Sequence, residues 1–166
     1  MVNWDTVWEL EDDVCMRFLI QRVQRAKVTV NDTMIGEIGR GHLVFVGVSE
    51  NDTETIADKM MDKLVKLRIF EDSDGKTNLS ITDIGGEILV VSQFTLYADV
   101  KKCNRPSFAK AGNPTLANHL YEYILEGLEK RKIPVFHGSF GADMKVELIN
   151  DGPFSVWIDS DELWVV

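Results

Sequence analysis

Cysteine is scarce, with only Cys15 and Cys103 in a chain of 166 residues. Two thiols cannot build a disulfide framework, nor by themselves a four-ligand zinc site, so a reducing cytoplasm is the expected compartment. Four prolines and twelve glycines exclude collagen-like repeats and long low-complexity tracts. The longest notable apolar run, Leu43 to Val48, is far too short to span a bilayer, and no membrane partner is expected. The chain opens without a basic-then-apolar leader, so secretion is not expected either. Positive charge is in deficit, 18 Lys and Arg against 27 Asp and Glu for a net −9. A protein that coats nucleic acid non-specifically needs the opposite balance, and DNA is not an expected partner.

The average conceals a pattern. Residues 1–15 hold Asp5, Glu9, Glu11, Asp12 and Asp13 with no Lys or Arg, together with Trp4 and Trp8 and no clear period. They read as an N-terminal extension of unknown role ahead of one domain over residues 16–166. Met16 to Val30 carries Arg17, Arg22, Arg25 and Lys27 and no acid, and Val100 to Tyr121 carries Lys101, Lys102, Arg105 and Lys110 and no acid. Two basic stretches on an acidic body suit either a polyanion-docking surface or two solvated edges.

From Met16 the chain alternates as a strand should, with Phe18, Ile20 and Arg22 opposite Leu19, Gln21 and Val23. Asn31-Asp32-Thr33 reads as a hairpin turn between Lys27–Val30 and Met34–Ile38. His42 to Val48 and Glu87 to Phe94 are nearly continuous apolar strands, the pattern of strands buried on both faces. Asp52-Thr53 opens a helix marked by Ile56, Met60, Leu64 and Leu67. Asn113-Pro114 caps a second helix, running to about Lys132. Short strands follow at Val135–Gly138, Lys145–Asn150 and Phe154–Ile158. Without a regular βαβ alternation, this order predicts a compact α+β (mixed α/β) domain with two main helices and a mixed, largely antiparallel, barrel-like sheet.

Several familiar signatures fail on inspection. Placing Gly75 sixth in a calcium loop puts Phe70 first and Ile81 twelfth, so Asp72 to Gly75 is a turn. His137-Gly138-Ser139-Phe140-Gly141 lacks the first glycine of a nucleophile elbow. His42, His119 and His137 have no ligand spacing, so neither metal nor cofactor is expected. Cys103 has basic neighbours but no placed base.

Two segments carry more. Ser92-Gln93-Phe94-Thr95-Leu96 puts polar residues at the end of a buried strand, where backbone N–H groups leave the ladder. Asn150-Asp151-Gly152-Pro153-Phe154-Ser155 sits between two strands, a place where Gly-Pro usually marks only a turn. Together they resemble the paired signature motifs of D-aminoacyl-tRNA deacylases. The likeness extends through Met16-Arg17, Gln21-Arg22-Val23, Gly47-Val48, Leu67-Arg68-Ile69-Phe70, Asn104-Arg105-Pro106-Ser107-Phe108 and Gly141-Ala142-Asp143-Met144. One departure is Phe154-Ser155, where the family's motif typically continues Val-Thr. A related deacylase class uses the opposite proline isomer and a less strict chirality; Phe94 favours the D-specific class.

The resemblance implies hydrolysis of the ester joining a D-amino acid to tRNA. It assigns Ser92, Gln93, Phe94 and Thr95 to the catalytic site, and Asn150, Gly152, Pro153 and Met144 to substrate binding and chiral selection. It also implies a homodimer in which a Gly-cis-Pro wall from one copy completes the site of the other, cleavage of glycyl-tRNA as a leak, and assistance by the ribose 2′-hydroxyl. Thr95 is the candidate nucleophile by residue type, yet the motif holds no His, Lys or acid to activate it. Lys101, Lys102 and Arg105, or alternatively Arg17, Arg22 and Arg25, are then candidates for acceptor-stem phosphates. The rival readings are a non-catalytic binding module on the same fold and a Thr-dependent esterase.

Overall fold

The computed structural model describes residues 15–164, with no account of the Trp164 side chain. The expected extension therefore lies, apart from Cys15, outside the described residues. β1 (Arg17–Val30) is the organising strand, fourteen residues long. A two-residue turn, Asn31 and Asp32 both at positive φ (47° and 62°), returns it into β2 (Thr33–Ile38), the geometry that matches strand twist in tight hairpins. β3 (Gly41–Gly47) then pairs antiparallel with the first half of β1, from Arg17↔Gly47 to Val23↔Gly41.

α1 (Glu54–Lys66) starts where Thr53 Oγ1 accepts the Ile56 N–H at 3.2 Å. A small hairpin, β4 (Phe70–Glu71) and β5 (Thr77–Leu79), follows. Its turn is closed by Asp72, whose carboxylate accepts the N–H groups of Asp74 and Lys76, so that side chain serves its own loop. β6 (Glu87–Ser92) lies parallel to β3. α2 (Pro114–Lys130), capped by Asn113 Oδ1 on the Leu116 N–H at 3.0 Å, crosses to β7 (Val135–His137), again parallel to β6. β8 (Lys145–Asp159) closes on β1.

The sheet is mixed as expected, but the trio β3–β6–β7 is parallel through two helical crossovers. The βαβ logic was hidden because the first crossover also contains the β4–β5 hairpin and the second a long loop. β6 stops at Ser92, two residues before its expected end. The two late strands expected at 145–150 and 154–158 are instead one strand, β8, both halves of which pair with β1. Between the pairs Gln21↔Ser155 and Val23↔Asn150, residues 151–154 of β8 face Arg22 alone. This is an outsized bulge, which re-aims side chains and bends the strand.

β1 also changes which core it serves, with an extra residue, Gln24, between the pairs Val23↔Asn150 and Arg25↔Ile149. Phe18 and Ile20 join Met60, Leu64, Leu120 and Ile124 in the layer between sheet and helices. Beyond Arg22, Val23, Ala26 and Val28 join Leu43, Leu89 and Val91 inside a nearly closed barrel. β2 comes so near β7 that a Cβ on Gly36 would lie 2.9 Å from the His137 carbonyl oxygen.

His42 sits fully buried on β3 against the Phe70 ring, 5.0 Å between centroids, and neither ring nitrogen has a hydrogen-bond partner. Burial pushes its pKa from 6.5 down to about 4. As pH falls from 6.5 towards 4 the unfolded chain takes up a proton at His42 that the folded chain refuses, so folding stability is lost in that window. Urea denaturation should show His42→Leu gaining about 3 kcal/mol relative to wild type between pH 7 and pH 4, with a constant difference above pH 7. Asp52, buried and raised to about 6, works in the opposite direction between pH 6 and 3.8 and masks part of the wild-type loss.

Candidate active site

The last ladder bond at the end of β6 is Gln93 N–H to the Val46 carbonyl at 2.8 Å. The chain then winds into a 3-10 turn, Phe94–Tyr97. The N–H groups of Phe94 and Thr95 open that turn and have no acceptor within it, as at any helix start. Tyr97 anchors the turn from beneath, only 1% exposed. Gly47 on β3 is what allows this approach, because a Cβ there would lie 2.9 Å from the Tyr97 ring. Phe94 points the other way, 58% exposed, and meets Phe108 edge-on with centroids 5.0 Å apart.

A cleft of about 800 Å³ opens at this strand end. Ser92, Gln93 and Phe94 form one side, Phe108, Ala109, Ala111 and Gly112 another, and Phe140 and Met144 a third. Met144 is set by its thioether, which accepts the Ser139 N–H at 3.4 Å. It also packs so tightly on Gly138 that a Cβ there would lie 2.5 Å from the sulfur. The lining is mostly apolar with one charged side chain, Asp143, which is exposed and paired with Lys145 at 2.9 Å. Thr95 lies outside the lining, exposed, and its hydroxyl accepts a hydrogen bond from the Gln93 amide.

The second motif is built separately. Asn150 spans the β8 bulge: its Oδ1 accepts the Phe154 N–H at 2.6 Å, and its Nδ2 donates to Ser155 Oγ at 3.1 Å. Arg22 braces the bulge from β1, with Nε donating to the Asp151 carbonyl at 2.8 Å and Nη1 to the Ile69 carbonyl at 2.7 Å. Its guanidinium lies 4.7 Å from the centroid of the Phe154 ring. Gly152 has φ 140°, the Gly152–Pro153 peptide is cis, and both residues are exposed. Neither belongs to the cleft lining. Of β8 only Val146 lines the cleft, and Asn150 to Pro153 lie further along the strand, opposite Arg22 and Val23 of β1. Ser92, Gln93, Phe94 and Met144 thus share one cleft, whereas Asn150, Gly152 and Pro153 stand apart from it within one chain.

The basic residues divide. Lys101, Lys102 and Arg105 are exposed on a loop pinched at its base by paired bonds between Asp99 and Ser107 at 2.8 and 2.9 Å. Arg22 is buried at 6% exposure, so it cannot meet phosphates; its donors hold the bulge. The signal was in its phase, since Arg22 alternates onto the face of Phe18 and Ile20. Arg17 is likewise engaged, with Asp159 and the Leu96 carbonyl, and Arg25 is exposed. Among the described residues no group of three or more His, Cys, Asp or Glu side chains assembles to hold a metal, and no helix is long and apolar enough to cross a membrane.

A family profile described as D-Tyr-tRNA(Tyr) deacylase matches residues 19–159. The chain belongs to that family of hydrolases. It is 50% identical over 147 residues to the D-aminoacyl-tRNA deacylase of Clostridioides difficile (strain 630), spanning 89% of this chain and 99% of that relative. It is 53% identical over 138 residues to the enzyme of the same name from Pseudoalteromonas translucida, spanning 83% of this chain and 95% of the relative. A solved structure named c-Myc DNA Unwinding Element Binding Protein is similar at 41% identity, TM-score 0.81, over 86% of this chain and 97% of that one. A probable eukaryotic D-amino acid tRNA deacylase shares the fold at 19% identity and TM-score 0.76, over 88% of this chain and all of that one.

Proposed function

We propose that this chain hydrolyses the ester bond of D-aminoacyl-tRNA, releasing the amino acid and tRNA in the cytoplasm, with residues 16–166 as the deacylase domain. The observation that carries the reading is the turn at Phe94 and Thr95, whose N–H groups have no acceptor within it and which stands at the mouth of a cleft almost without ionisable side chains. Water adds to the ester carbonyl carbon, the two N–H groups take the developing oxyanion, and the carbon–oxygen bond to the ribose breaks as that oxygen regains a proton. The ester is already activated, so positioning and oxyanion donors suffice. The neighbouring ribose 2′-hydroxyl relays the proton. Ser92 and Gln93 shape the strand end, and Thr95 is a structural partner of Gln93.

Thr95→Ala is accordingly expected to keep kcat for D-tyrosyl-tRNA within about threefold of wild type, because a hydroxyl with no base beside it contributes little nucleophilicity. Single-turnover kinetics would check this, and near-complete loss with folding intact would restore the covalent esterase route.

Chiral selection comes from the Gly152–Pro153 bulge entering the cleft of a second copy. Its carbonyls accept the substrate ammonium and its backbone blocks the space of an L side chain, with Asn150 holding the bulge and Met144 the facing wall. Support lies in the separation of the two motifs within one chain, in the bulge's exposure, and in Ile149 and Trp157 on the same strand, which are 39% and 44% exposed. Such a wall rejects by overlap, so glycyl-tRNA passes. Paired deacylation of D-tyrosyl-, L-tyrosyl- and glycyl-tRNA tests the whole reading: release from the first and third but not the second supports it, and equal release of both enantiomers sinks it.

Lys101, Lys102 and Arg105 face acceptor-stem phosphates. Reversing Lys101 and Lys102 to Glu should raise KM for tRNA and flatten its log–log salt dependence by about two, leaving kcat in place. The name of the solved relative speaks of DNA for that protein; the −9 net charge of this chain disfavours such a partner.

A further inference from the structure

Behind the turn that carries Phe94 and Thr95 lies a cluster of side chains outside the cleft. Arg17, at the start of β1, donates from Nη1 to the Leu96 carbonyl at 2.9 Å and from Nε to Asp159 Oδ2 at 3.1 Å. Its guanidinium is stacked near two rings, 4.8 Å from the centroid of Tyr97 and 5.5 Å from that of Trp157. The Tyr97 hydroxyl donates to the Cys15 carbonyl at 2.7 Å. The turn is therefore tied at its C-terminal end to β1 and β8, by contacts that are partly buried: the Arg17 and Asp159 side chains are 26% and 14% exposed.

We propose that Arg17, held in place by Asp159, is a positioning residue for ester hydrolysis, fixing the orientation of the 94–97 turn so that its opening N–H groups stay aimed into the cleft. A four-residue 3-10 turn has few bonds of its own and poor internal geometry, so outside contacts decide its attitude. A charged fork on one of its carbonyls is the strongest such contact, since charge-assisted bonds are shorter and stiffer than neutral ones. Asp159 supplies the counter-charge that keeps the fork from swinging out to solvent. Oxyanion donors act only over tenths of an ångström, so a turn that rocks loses rate while the cleft still binds. Arg17 falls outside the 19–159 stretch that the family profile matches, and Asp159 is its last residue. The assignment rests on the reading of this turn as the oxyanion site.

The test is steady-state kinetics on D-tyrosyl-tRNA with the full chain. Arg17→Ala should lower kcat about 10- to 100-fold with KM for the tRNA within about threefold, and millimolar guanidinium should restore part of the loss. Asp159→Asn keeps an acceptor without the charge, and should lower kcat about fivefold with the same unchanged KM. If Arg17→Ala does not fold, Asp159→Asn decides by the same split. A raised KM at constant kcat makes Arg17 a tRNA contact and overturns the proposal, as does no change in either. Wild type that fails to release D-tyrosine overturns the functional reading and this proposal together; active wild type with an unaltered Arg17→Ala overturns the proposal alone.

Discussion

D-Tyrosyl-tRNA ending in a 2′-deoxyribose, with the amino acid on the 3′ oxygen, should be hydrolysed at least about 100-fold more slowly than the normal substrate, with little change in KM. The size follows from what general acid–base assistance contributes, about 10² to 10⁴ in rate. The origin lies in what the cleft lacks. Asp143 is the one ionisable side chain in its lining, and it is exposed and paired with Lys145. Thr95 is bonded to the Gln93 amide, which donates to it and can accept no proton through that contact. With no protein base in the lining, the proposed reaction leaves the 2′-hydroxyl to carry the proton between attacking water and departing ribose oxygen. Single-turnover rates on the two substrates check the point. Equal rates would mean that a side chain does the work, and attention would return to Thr95.

How much of this was legible beforehand depends on the range of the interactions involved. Local signals carried well: the Asn31-Asp32 turn, the Thr53 and Asn113 caps, and the buried runs of β3 and β6 are all where the residues place them. Thr53 and Asn113 are caps by chemistry, since each side-chain oxygen satisfies an N–H that the helix cannot. Pairing across long distances did not carry. Nothing near residue 150 says that β8 continues through a Gly-Pro step, because that continuity is imposed by β1, some 130 residues away, pairing with both halves. Arg22 illustrates the same limit at the site. An arginine in a basic stretch reads as solvent-facing by composition, but burial at β1 turns its Nε and Nη1 donors inward to carbonyls that the β8 bulge and Ile69 leave open. The two signature motifs were legible as motifs, and their separation in space was not, because strand order is a property of the sheet.

Gly152→Ala is the substitution expected to damage chiral selection most. Gly152 stands at φ 140°, a backbone conformation that L side chains rarely adopt, and a Cβ there would lie 2.9 Å from Arg22 Nη2 and 3.1 Å from the Phe154 nitrogen. Something must move. The β8 ladder on either side is fixed by its pairing with β1, so the parts that yield are the bulge itself and the Arg22 guanidinium. Displacing the guanidinium loosens its bond to the Asp151 carbonyl, its ion pair with the Asp151 carboxylate at 3.9 Å and its stack on Phe154, contacts that hold the bulge on the β1 side. The cost to folding is local, about 1 to 3 kcal/mol, and for a domain of this size each kcal/mol lowers Tm by about 2 to 4 °C. On the proposed reading selection suffers as well, because a wall that rejects by overlap works only while it cannot retreat. Deacylation of D-tyrosyl-tRNA should fall at least about 30-fold while that of L-tyrosyl-tRNA does not fall, so the preference for D over L should shrink by about 30-fold or more. Arg22→Lys, which keeps the charge but loses the fork, should move the same preference in the same direction by less, since a single ammonium cannot reach both the Asp151 and Ile69 carbonyls. Paired assays of both variants against both enantiomers, alongside thermal denaturation to confirm a folded chain, separate a loosened wall from a lost fold. A Gly152→Ala protein that melts a few degrees early yet discriminates as wild type would show that the bulge does not form the wall.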